Sequence, residues 1–333
     1  MRRALLRLGL VAVGLTAGAA VLEVGLRATG GGVRAQVGLF EVAEGRVRLR
    51  PCAEDRVRGP DGRVTAVVTD PEGLRTIHPC ERGGAGVLVL GDSQVFGLGV
   101  EAKEAFPAWL GAVNAGVPDY GIADSLAAGD TWMTHSTHPD VSTVLVVLNQ
   151  ANDWEDGMLP AGERNEVHRG YLFRAGRLGA AGRSFWSSPL ADSALAYRLW
   201  ARLNPVPRDP PGEWLTAPAT QAAASMAFAS AVRSFAAEHT ELRVVPVWLP
   251  ADLATSEARA GESVLARGAD LASLRPWADT TLRDQVAAAL GDLPLVDLTD
   301  SLRDPANFLP HDFHLSEQGH AAVGARLREV LGG

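Results

Sequence analysis

Ser93 is the residue of this chain whose surroundings best suit chemistry. It follows Gly91 and Asp92 at the end of a short apolar, β-branched run, 87–90, which is typical of a buried parallel strand. Beyond the turn, the apolar spacing predicts a helix over 101–113. A strand that feeds a helix through a tight turn places that turn at the carboxyl edge of a sheet, where open α/β folds bind ligands. Ser93 is therefore a candidate nucleophile at the mouth of a site.

A second group of reactive side chains lies near the end of the chain. Residues 310–320 read Pro-His-Asp-Phe-His-Leu-Ser-Glu-Gln-Gly-His and precede an amphipathic helical pattern over 321–331, for which Ser316 suits the N-cap. Histidine is the commonest general base in enzymes. His311, His314 and His320 together with Asp312 could also ligate a metal ion, which is the less favoured interpretation.

Two other segments place polar or flexible residues at predicted strand ends. An apolar strand over 141–148 ends in Asn149-Gln150-Ala151-Asn152-Asp153. The amide of Asn152 could donate to a developing alkoxide, or the Asn152–Asp153 pair could cap a helix. Gly116, two positions after Asn114, could let its backbone N–H approach a substrate closely because it has no Cβ. It could also simply belong to a turn.

The elements that would position these residues alternate along the chain. Helical patterns over 125–133, 221–238 and 264–290 separate strand-like runs over 242–249 and 293–298. This alternation predicts a three-layer α/β fold with a mainly parallel sheet. Residues 157–218 do not fit the alternation, and we interpret them as an insertion of loop and helix that ends in a proline-rich connector.

Composition and the amino terminus bear on class and location. The chain has 333 residues, of which 47% are hydrophobic and 21% charged, and its net charge of −8 argues against nucleic-acid binding. Three arginines precede an uncharged apolar run over 8–22. This pattern fits a cleaved signal peptide or an uncleaved membrane anchor, and either implies export. We divide the chain into the terminal segment 1–28, an irregular apron over 29–82 and a main domain over 83–333.

Cys52 and Cys80 are the two cysteines of the chain. In an exported protein two cysteines can form one disulfide, which we expect here, although two unrelated thiols are the alternative. They are too few for a zinc site without partners, and His78 alone does not supply them.

Four of these segments, in order along the chain, resemble the sequence blocks of the SGNH, or GDSL-type, hydrolases. The residues that carry the resemblance are Gly91-Asp92-Ser93 with Gly97 and Gly99, then Asn114-x-Gly116, then Asn152-Asp153, and finally His314-Leu315-Ser316-x-x-Gly319-His320. Three positions depart from the family pattern. Asp119 stands where a second glycine is common, Gln150 stands where the third block has glycine, and His311 stands where the last block has aspartate.

The resemblance implies a fold and a set of roles. The fold would be SGNH-hydrolase-like (flavodoxin-like), with a mainly parallel five-stranded sheet. Ser93 would be the nucleophile and His314 the general base, oriented by Asp312 as in relatives that use Asp-x-His. The backbone N–H groups of Ser93 and Gly116 and the side chain of Asn152 would bind the oxyanion. This chemistry requires no metal and no cofactor.

The resemblance also implies a function. Glu23 and Arg27 end the apolar helix as in membrane-associated bacterial SGNH proteins, which favours an anchor at the periplasmic face of the inner membrane over secretion. We expect an exported serine ester hydrolase that removes or transfers an O-acyl group, with an acyl ester, such as O-acylated envelope polysaccharide, as substrate. The departures at Gln150 and His311 leave open an inactive glycan-binding or scaffold protein. An extracellular lipase with an apolar cleft formed by 157–218 is a third interpretation.

Overall fold

A computed structural model describes residues 2–59, 61–135, 140–151, 153, 163, 165–176, 178–204, 218–256, 258–259 and 281–332. The strands are β1 (Phe40–Ala43), β2 (Arg46–Leu49), β3 (Glu54–Arg58), β4 (Val64–Thr69), β5 (Arg75–Thr76), β6 (Val87–Gly91), β7 (Val113–Gly116), β8 (Thr143–Asn149), β9 (Asn165–His168), β10 (Tyr171–Arg174), β11 (Arg243–Leu249) and β12 (Val296–Asp297). The helices are α1 (Arg2–Ala28), α2 (Ser93–Phe96), α3 (Phe106–Trp109), α4 (Ile122–His135), α5 (Ala180–Ser187), α6 (Ala194–Leu203), α7 (Pro218–Glu238), α8 (Asp252–Thr255), α9 (Thr281–Leu290) and α10 (Glu317–Leu331).

The central sheet has eight strands, in the order β12-β11-β8-β6-β7-β5-β4-β3. The first five are parallel to one another, and the remaining three continue the sheet in antiparallel register. The mainly parallel sheet is as predicted, but the count of five strands is wrong. The prediction of five strands rests on the strands that alternate with helices, whereas β3–β5 come from the preceding segment and pair onto the edge of β7.

Strands β3–β5 form a regular part of the central sheet, whereas the sequence pattern predicts an irregular apron over 29–82. Arg75 of β5 pairs with Asn114 of β7, and the side chain of Arg75 is buried. Val57 of β3 and Val67 of β4 are each 1% exposed within the same apolar cluster as Phe96 of α2. The amino-terminal segment therefore packs directly against the helix that carries Ser93.

Helices cover both faces of the parallel region. Leu88 and Leu90 of β6 belong to the apolar cluster that contacts α4, α7 and α9, while Val89 belongs to the cluster that contacts α3 and α10. This alternation follows from the two-residue period of a strand. The arrangement is compatible with the three-layer α/β fold that the sequence predicts.

The predicted helix over 101–113 is not continuous. A 3₁₀ turn at Ala102–Glu104 and the short helix α3 take its place, and β7 already begins at Val113. Gly111 adopts φ +63°, a left-handed conformation that ends the helix and that glycine adopts without strain. Phe106 is buried while Trp109 is 44% exposed, and the chain turns too soon for one helix.

Two features of the amino-terminal part of the chain concern its predicted disulfide and its apolar run. Cys52 and Cys80 form a disulfide. Residues Arg7–Ala28 of α1 are long and apolar enough to cross a membrane, and none of that window is buried against the rest of the protein.

Candidate active site

Ser93 is the first residue of α2, two positions after β6 ends at Gly91. The Asp92 carboxylate caps this helix, since its Oδ1 accepts the Gln94 N–H at 2.9 Å. The Asp92 carbonyl accepts the Phe96 N–H at 3.0 Å. These two bonds fix the backbone on either side of Ser93, which is 5% exposed. Its hydroxyl is thereby held at the carboxyl end of β6.

His314 joins Ser93 to Asp312. Its Nε2 lies 2.9 Å from the Ser93 Oγ, and its Nδ1 is hydrogen-bonded to Asp312 Oδ1. The same carboxylate oxygen accepts the backbone N–H of His314 at 2.8 Å, so one side chain fixes both the backbone and the ring. With its proton on Nδ1, the ring presents Nε2 as an acceptor toward the hydroxyl. The three residues that the sequence singled out as nucleophile, base and orienting carboxylate thus form one chain of hydrogen bonds.

The loop that carries His314 is itself anchored. Phe308 and Leu315 form an antiparallel bridge, the Leu309 N–H donates to the His314 carbonyl at 2.8 Å, and the Asp312 N–H donates to the Leu309 carbonyl at 3.2 Å. The loop then enters α10, whose N-cap is Ser316 as predicted, with its Oγ accepting the Gly319 N–H at 3.2 Å. This folding back explains how Asp312 can orient His314 from only two positions away.

Burial and charge act in opposite directions on the His314 ring. Burial favours the neutral imidazole, but the negative charges of Asp312, Asp92 and Asp119 outweigh it, so the pKa of His314 is raised above its usual value. In the sequence, Asp119 stands where the second block commonly has glycine. Its φ of +66° is the left-handed conformation that a glycine would adopt at that place, and that aspartate tolerates.

Asp92 is shared between the helix cap and the end of β8. Its Oδ2 accepts a hydrogen bond from Asn149 Nδ2 at 2.8 Å and lies 3.4 Å from the Ser93 Oγ. Asn149 in turn receives the Ala151 N–H on its Oδ1 at 3.0 Å. The Asn149 N–H donates to Asp153 Oδ2 at 2.6 Å. The turn after β8 is thus tied to the residue that precedes the candidate nucleophile.

Asn152, the predicted oxyanion donor in this turn, lies outside the described residues, and its role stays a prediction. Gln150, which stands where the family pattern has glycine, is described. Its side-chain Oε1 accepts the Ala251 N–H at 3.0 Å, and its own N–H donates to the Leu249 carbonyl at 2.9 Å. The glutamine therefore links the ends of β8 and β11 instead of freeing the turn.

Gly116 packs tightly against the helix that carries Ser93. A Cβ at this position would lie 2.2 Å from the Phe96 nitrogen, so no other residue fits. Its N–H donates to Asn114 Oδ1 at 3.0 Å. An oxyanion would have to replace that bond, so Gly116 as an oxyanion donor also stays a prediction.

Gln94 is a residue whose part in the site the sequence did not suggest. Its side chain is 2% exposed and bonds the backbone on both sides of His314. Nε2 donates to the Phe313 carbonyl at 2.9 Å, and Oε1 accepts the Leu315 N–H at 3.0 Å. A residue next to the candidate nucleophile therefore holds the candidate base in register. A glutamine after Gly-Asp-Ser gives no periodic signal by which this contact could have been predicted.

A buried ion pair supports the same loop from the other side. Arg259 Nη2 lies 3.2 Å from Asp252 Oδ2, with the two side chains 3% and 1% exposed, and it also donates to the Asp312 carbonyl. The guanidinium lies over the Phe308 ring, 5.4 Å from its centroid. Because the two charged residues are far from 310–320 in sequence, their contribution becomes visible only in the fold.

His320 does not face the candidate site. It is buried in α10, its Nδ1 accepts the Phe106 N–H at 3.3 Å, and its ring stacks on Phe106. Burial, assisted by the charge of Arg75, lowers the pKa of His320 to about 3, so the ring is neutral at physiological pH. It is a core residue of α10. Within the described ranges, no three His, Cys, Asp or Glu side chains are grouped so that they could hold a metal ion.

Comparisons with known proteins add little to this geometry. No protein-family model and no curated protein matches the chain. Among solved structures, a Streptococcus protein described as a "putative platelet activating factor" is 15% identical, with 74% of this chain and 84% of that chain covered and a TM-score of 0.38. A second, an uncharacterised protein, is also 15% identical, with 75% and 96% covered and the same TM-score of 0.38. Similarity at this level carries no argument about the function of this chain.

Proposed function

We propose that this chain is an exported, membrane-tethered serine ester hydrolase of the SGNH type that acts through an acyl-enzyme on Ser93. The observation that carries the proposal is the chain of hydrogen bonds from Asp312 through His314 to the Ser93 hydroxyl. A hydroxyl becomes a nucleophile when a base at 2.6–3.2 Å removes its proton and a third group holds the base. The helix α1, which is long and apolar enough to cross a membrane, and the disulfide support the export part of the proposal.

The reaction would proceed in two halves. As His314 Nε2 takes the hydroxyl proton, Ser93 Oγ bonds to the ester carbonyl carbon, and the carbonyl π electrons move to oxygen. The tetrahedral intermediate then expels the alcohol, which takes the proton from His314 and leaves an acyl-Ser93 ester. Water, or a sugar hydroxyl in a transferase, next attacks the acyl carbon with His314 again as base, and Ser93 leaves with the proton. Asp312 keeps its negative charge throughout and stabilises the imidazolium.

The oxyanion would be bound by N–H groups at the carboxyl edge of the sheet. The Ser93 N–H opens α2, and the first N–H groups of a helix have no acceptor within it. Asn152 and Gly116 would complete the set, as the resemblance implies, the latter after exchange of its bond to Asn114. Removing one such donor typically lowers kcat by roughly 10²–10³-fold.

The substrate class follows from the resemblance together with the proposed location. An enzyme outside the cytoplasm and tethered to the membrane would meet O-acylated polysaccharide of the envelope or in export. We therefore propose such an acyl ester as the substrate.

The experiment that tests this function is the hydrolysis of p-nitrophenyl acetate by the full-length protein in detergent. Release of p-nitrophenol that is lost in Ser93→Ala is the expected result. Absence of turnover by folded wild type would favour the non-catalytic glycan-binding alternative. A strong preference for long acyl chains would favour a lipase.

A further inference from the structure

The contact between α6 and the end of α1 leads to an inference about the membrane. We propose that α6 and the 3₁₀ turn before it, Pro189–Asp192, lie on the outer surface of the bilayer beside the point where α1 leaves it. The partner of this surface is a lipid leaflet that contains anionic headgroups. The inference rests on the membrane anchor of the proposed function but not on its chemistry.

The first turn of α6 is tied to the end of the apolar helix. Glu23 of α1 accepts hydrogen bonds from Ser193 Oγ at 2.9 Å, the Ala194 N–H at 3.0 Å and the Leu195 N–H at 2.8 Å. Arg27, one turn further along α1, pairs with Glu23 and donates to the Asp192 carbonyl at 3.0 Å. The start of α6 is therefore held within side-chain reach of the last turns of α1.

The length of α1 sets the depth of this junction. A helix rises about 1.5 Å per residue, so residues 4–22 extend about 28 Å, close to the roughly 30 Å hydrocarbon thickness of a bilayer. Glu23 and Arg27, the charged residues that follow, then lie at the outer boundary, and Arg7 can extend its charge to the opposite one. Any element bonded to Glu23 lies at headgroup depth, and α6 is such an element.

One face of α6 is already packed against protein. Tyr197 lies 6.1 Å from Trp186 between ring centroids, and Trp200 stacks on Phe185 at 4.7 Å. These aromatic contacts hold this face of α6 against the protein, so the helix cannot turn it toward the solvent or a bilayer.

The other face of α6 is apolar and exposed. Leu199 is 55% and Leu203 79% exposed, and with Leu195 they recur every four residues along one side of the helix. Leu190, in the 3₁₀ turn, is 62% exposed. Ala194 and Arg198, each one position before a leucine of this face, contact residues 31–32 beyond the end of α1. The leucine face therefore adjoins the side of α6 that contacts residues 31–32, just beyond the end of α1.

The charge of α6 suits an anionic leaflet. The helix carries Arg198 and Arg202 and no acidic residue, although the whole chain has a net charge of −8. Exposed leucines flanked by arginines, with aromatic side chains on the same helix, are typical of helices that lie in a membrane interface. Basic side chains near such a surface are attracted to anionic lipid.

The test places spin labels on the full-length protein in vesicles of phosphatidylcholine with a minority of phosphatidylglycerol. Single cysteines would replace Leu199, Leu203, Val13 of α1 and Met226 of α7, while the native disulfide stays intact. Met226 is the matched control because it is an equally apolar side chain, 62% exposed, on a helix that packs on α4 and α9. Relaxation by oxygen, which concentrates in lipid, would be compared with relaxation by a polar nickel chelate.

The expected ratio of oxygen to nickel accessibility is several-fold higher at 199 and 203 than at 226, and it should fall when Arg198 and Arg202 are both changed to Gln. A lipid-like ratio at 13 with water-like ratios at 199 and 203 would overturn the inference while leaving the anchor intact. Shielding of 199 and 203 from both reagents would indicate a protein partner and would also overturn it. A water-like ratio at 13 would reject the anchor, and the inference with it, without touching the proposed ester chemistry.

Discussion

Burial lowers the pKa of the His314 ring, yet Asp312, Asp92 and Asp119 together raise it further than burial lowers it. A histidine acts as a general base only in its neutral form, so protonation of His314 at low pH removes the acceptor for the Ser93 proton. Because the pKa lies above the usual histidine value, the acid limb of the activity should lie above that value as well. Reactivity should increase as the pH rises through the His314 pKa.

A change at Asp119 should shift the acid limb of the pH profile without altering the hydrogen bonds that join Asp312, His314 and Ser93. Asp119→Asn removes one negative charge that raises the His314 pKa, and asparagine tolerates the left-handed backbone at this position. The acid limb of ester hydrolysis should therefore shift to lower pH. The measurement is the pH dependence of kcat/KM, with Asp300→Asn, an exposed site paired with Arg303, as the control. An unchanged limb in Asp119→Asn would mean that this carboxylate does not act on the base.

Gln94 should act as a positioning residue through His314. Gln94→Met keeps the volume but removes both hydrogen bonds to the backbone around His314. We expect the rate at which a fluorophosphonate probe labels Ser93 to fall ten- to a hundredfold. The reason is that displacement of a catalytic group by about 1 Å lowers the rate by up to roughly 10²-fold. Leaving two backbone groups unpaired should also lower the unfolding free energy by roughly 1–3 kcal/mol each.

Rate and stability must be separated for this variant. Gln94→Glu retains the oxygen that accepts the Leu315 N–H, but it replaces the amide that donates to the Phe313 carbonyl with a second oxygen. It also places a negative charge beside the base. It should therefore shift the acid limb to higher pH, whereas Gln94→Met should lower the rate at every pH. If both variants merely lost stability and kept the wild-type rate per folded molecule, Gln94 would have only a structural role.

At the scale of elements, α2 depends on a strand from the amino-terminal segment. Arg75 of β5 donates to the Phe96 and Gly97 carbonyls and to the Val100 carbonyl at 2.6 Å, all at or just beyond the end of α2. Burial lowers the pKa of Arg75 to about 10, so the side chain stays charged at neutral pH. The strand thus supplies a cation where the helix and its following loop present carbonyls.

Arg75→Met should destabilise the protein strongly. Each hydrogen bond from a charged donor to a buried carbonyl contributes roughly 1.5–3 kcal/mol, so a loss of about 3 kcal/mol or more is expected. Arg75→Lys should recover only part of it, because a single ammonium cannot reach all three carbonyls. Urea unfolding of both variants measures the effect. A change below about 1 kcal/mol in Arg75→Met would contradict the assigned role.

The disulfide makes a separable contribution to the same amino-terminal segment. Cys52 and Cys80 enclose β3, β4 and β5, with a sequence separation of 28 residues. On the chain-entropy model, closing such a loop stabilises the fold by roughly 3–4 kcal/mol. The double change to Ser should lower the unfolding free energy by about that amount, measured against wild type with and without reductant. Equal stability of reduced and oxidised wild type would show that the bridge does not constrain the unfolded chain.

How far the elements could be predicted depended on whether their signal was local. The strand before Gly91 is indicated by its apolar run, and the helix after Ser316 by its N-cap and amphipathic pattern. Both elements lie where the sequence predicts them. β5 has only two residues, Arg75 and Thr76, so no periodicity could reveal it. Its membership of the sheet depends on pairing with Asn114, a contact between distant parts of the chain.

The same distinction explains the candidate site. Ser93, His314 and Asp312 could be named because reactive residue types stand in recognisable motifs at element ends. Gln94 and Arg259 could not, because they act on backbone groups far away in sequence. Asp119 was seen as a departure, but its effect on His314 is electrostatic and needs three-dimensional distances.

At the scale of the whole molecule, the amino-terminal segment connects the apolar helix α1 to the candidate site. Strands β3, β4 and β5 extend the sheet that carries Ser93, and Glu23 fixes α6 to the end of α1. The proposed esterase would therefore hold its site at a set distance from a bilayer, which suits an acyl ester on a polymer at the envelope. The proposed function requires above all that Ser93 is activated.

Reaction of the full-length protein with a fluorophosphonate probe tests that claim most directly, because the probe phosphonylates activated serines without regard to the natural acyl group. Wild type would be compared with Ser93→Ala and His314→Ala after each is shown to be folded, and the modified peptide would be identified by mass spectrometry. The account predicts labelling at Ser93, none in Ser93→Ala, and a rate lowered by roughly 10³-fold or more in His314→Ala. Folded wild type that remains unlabelled, or labelling that persists in Ser93→Ala, would contradict it.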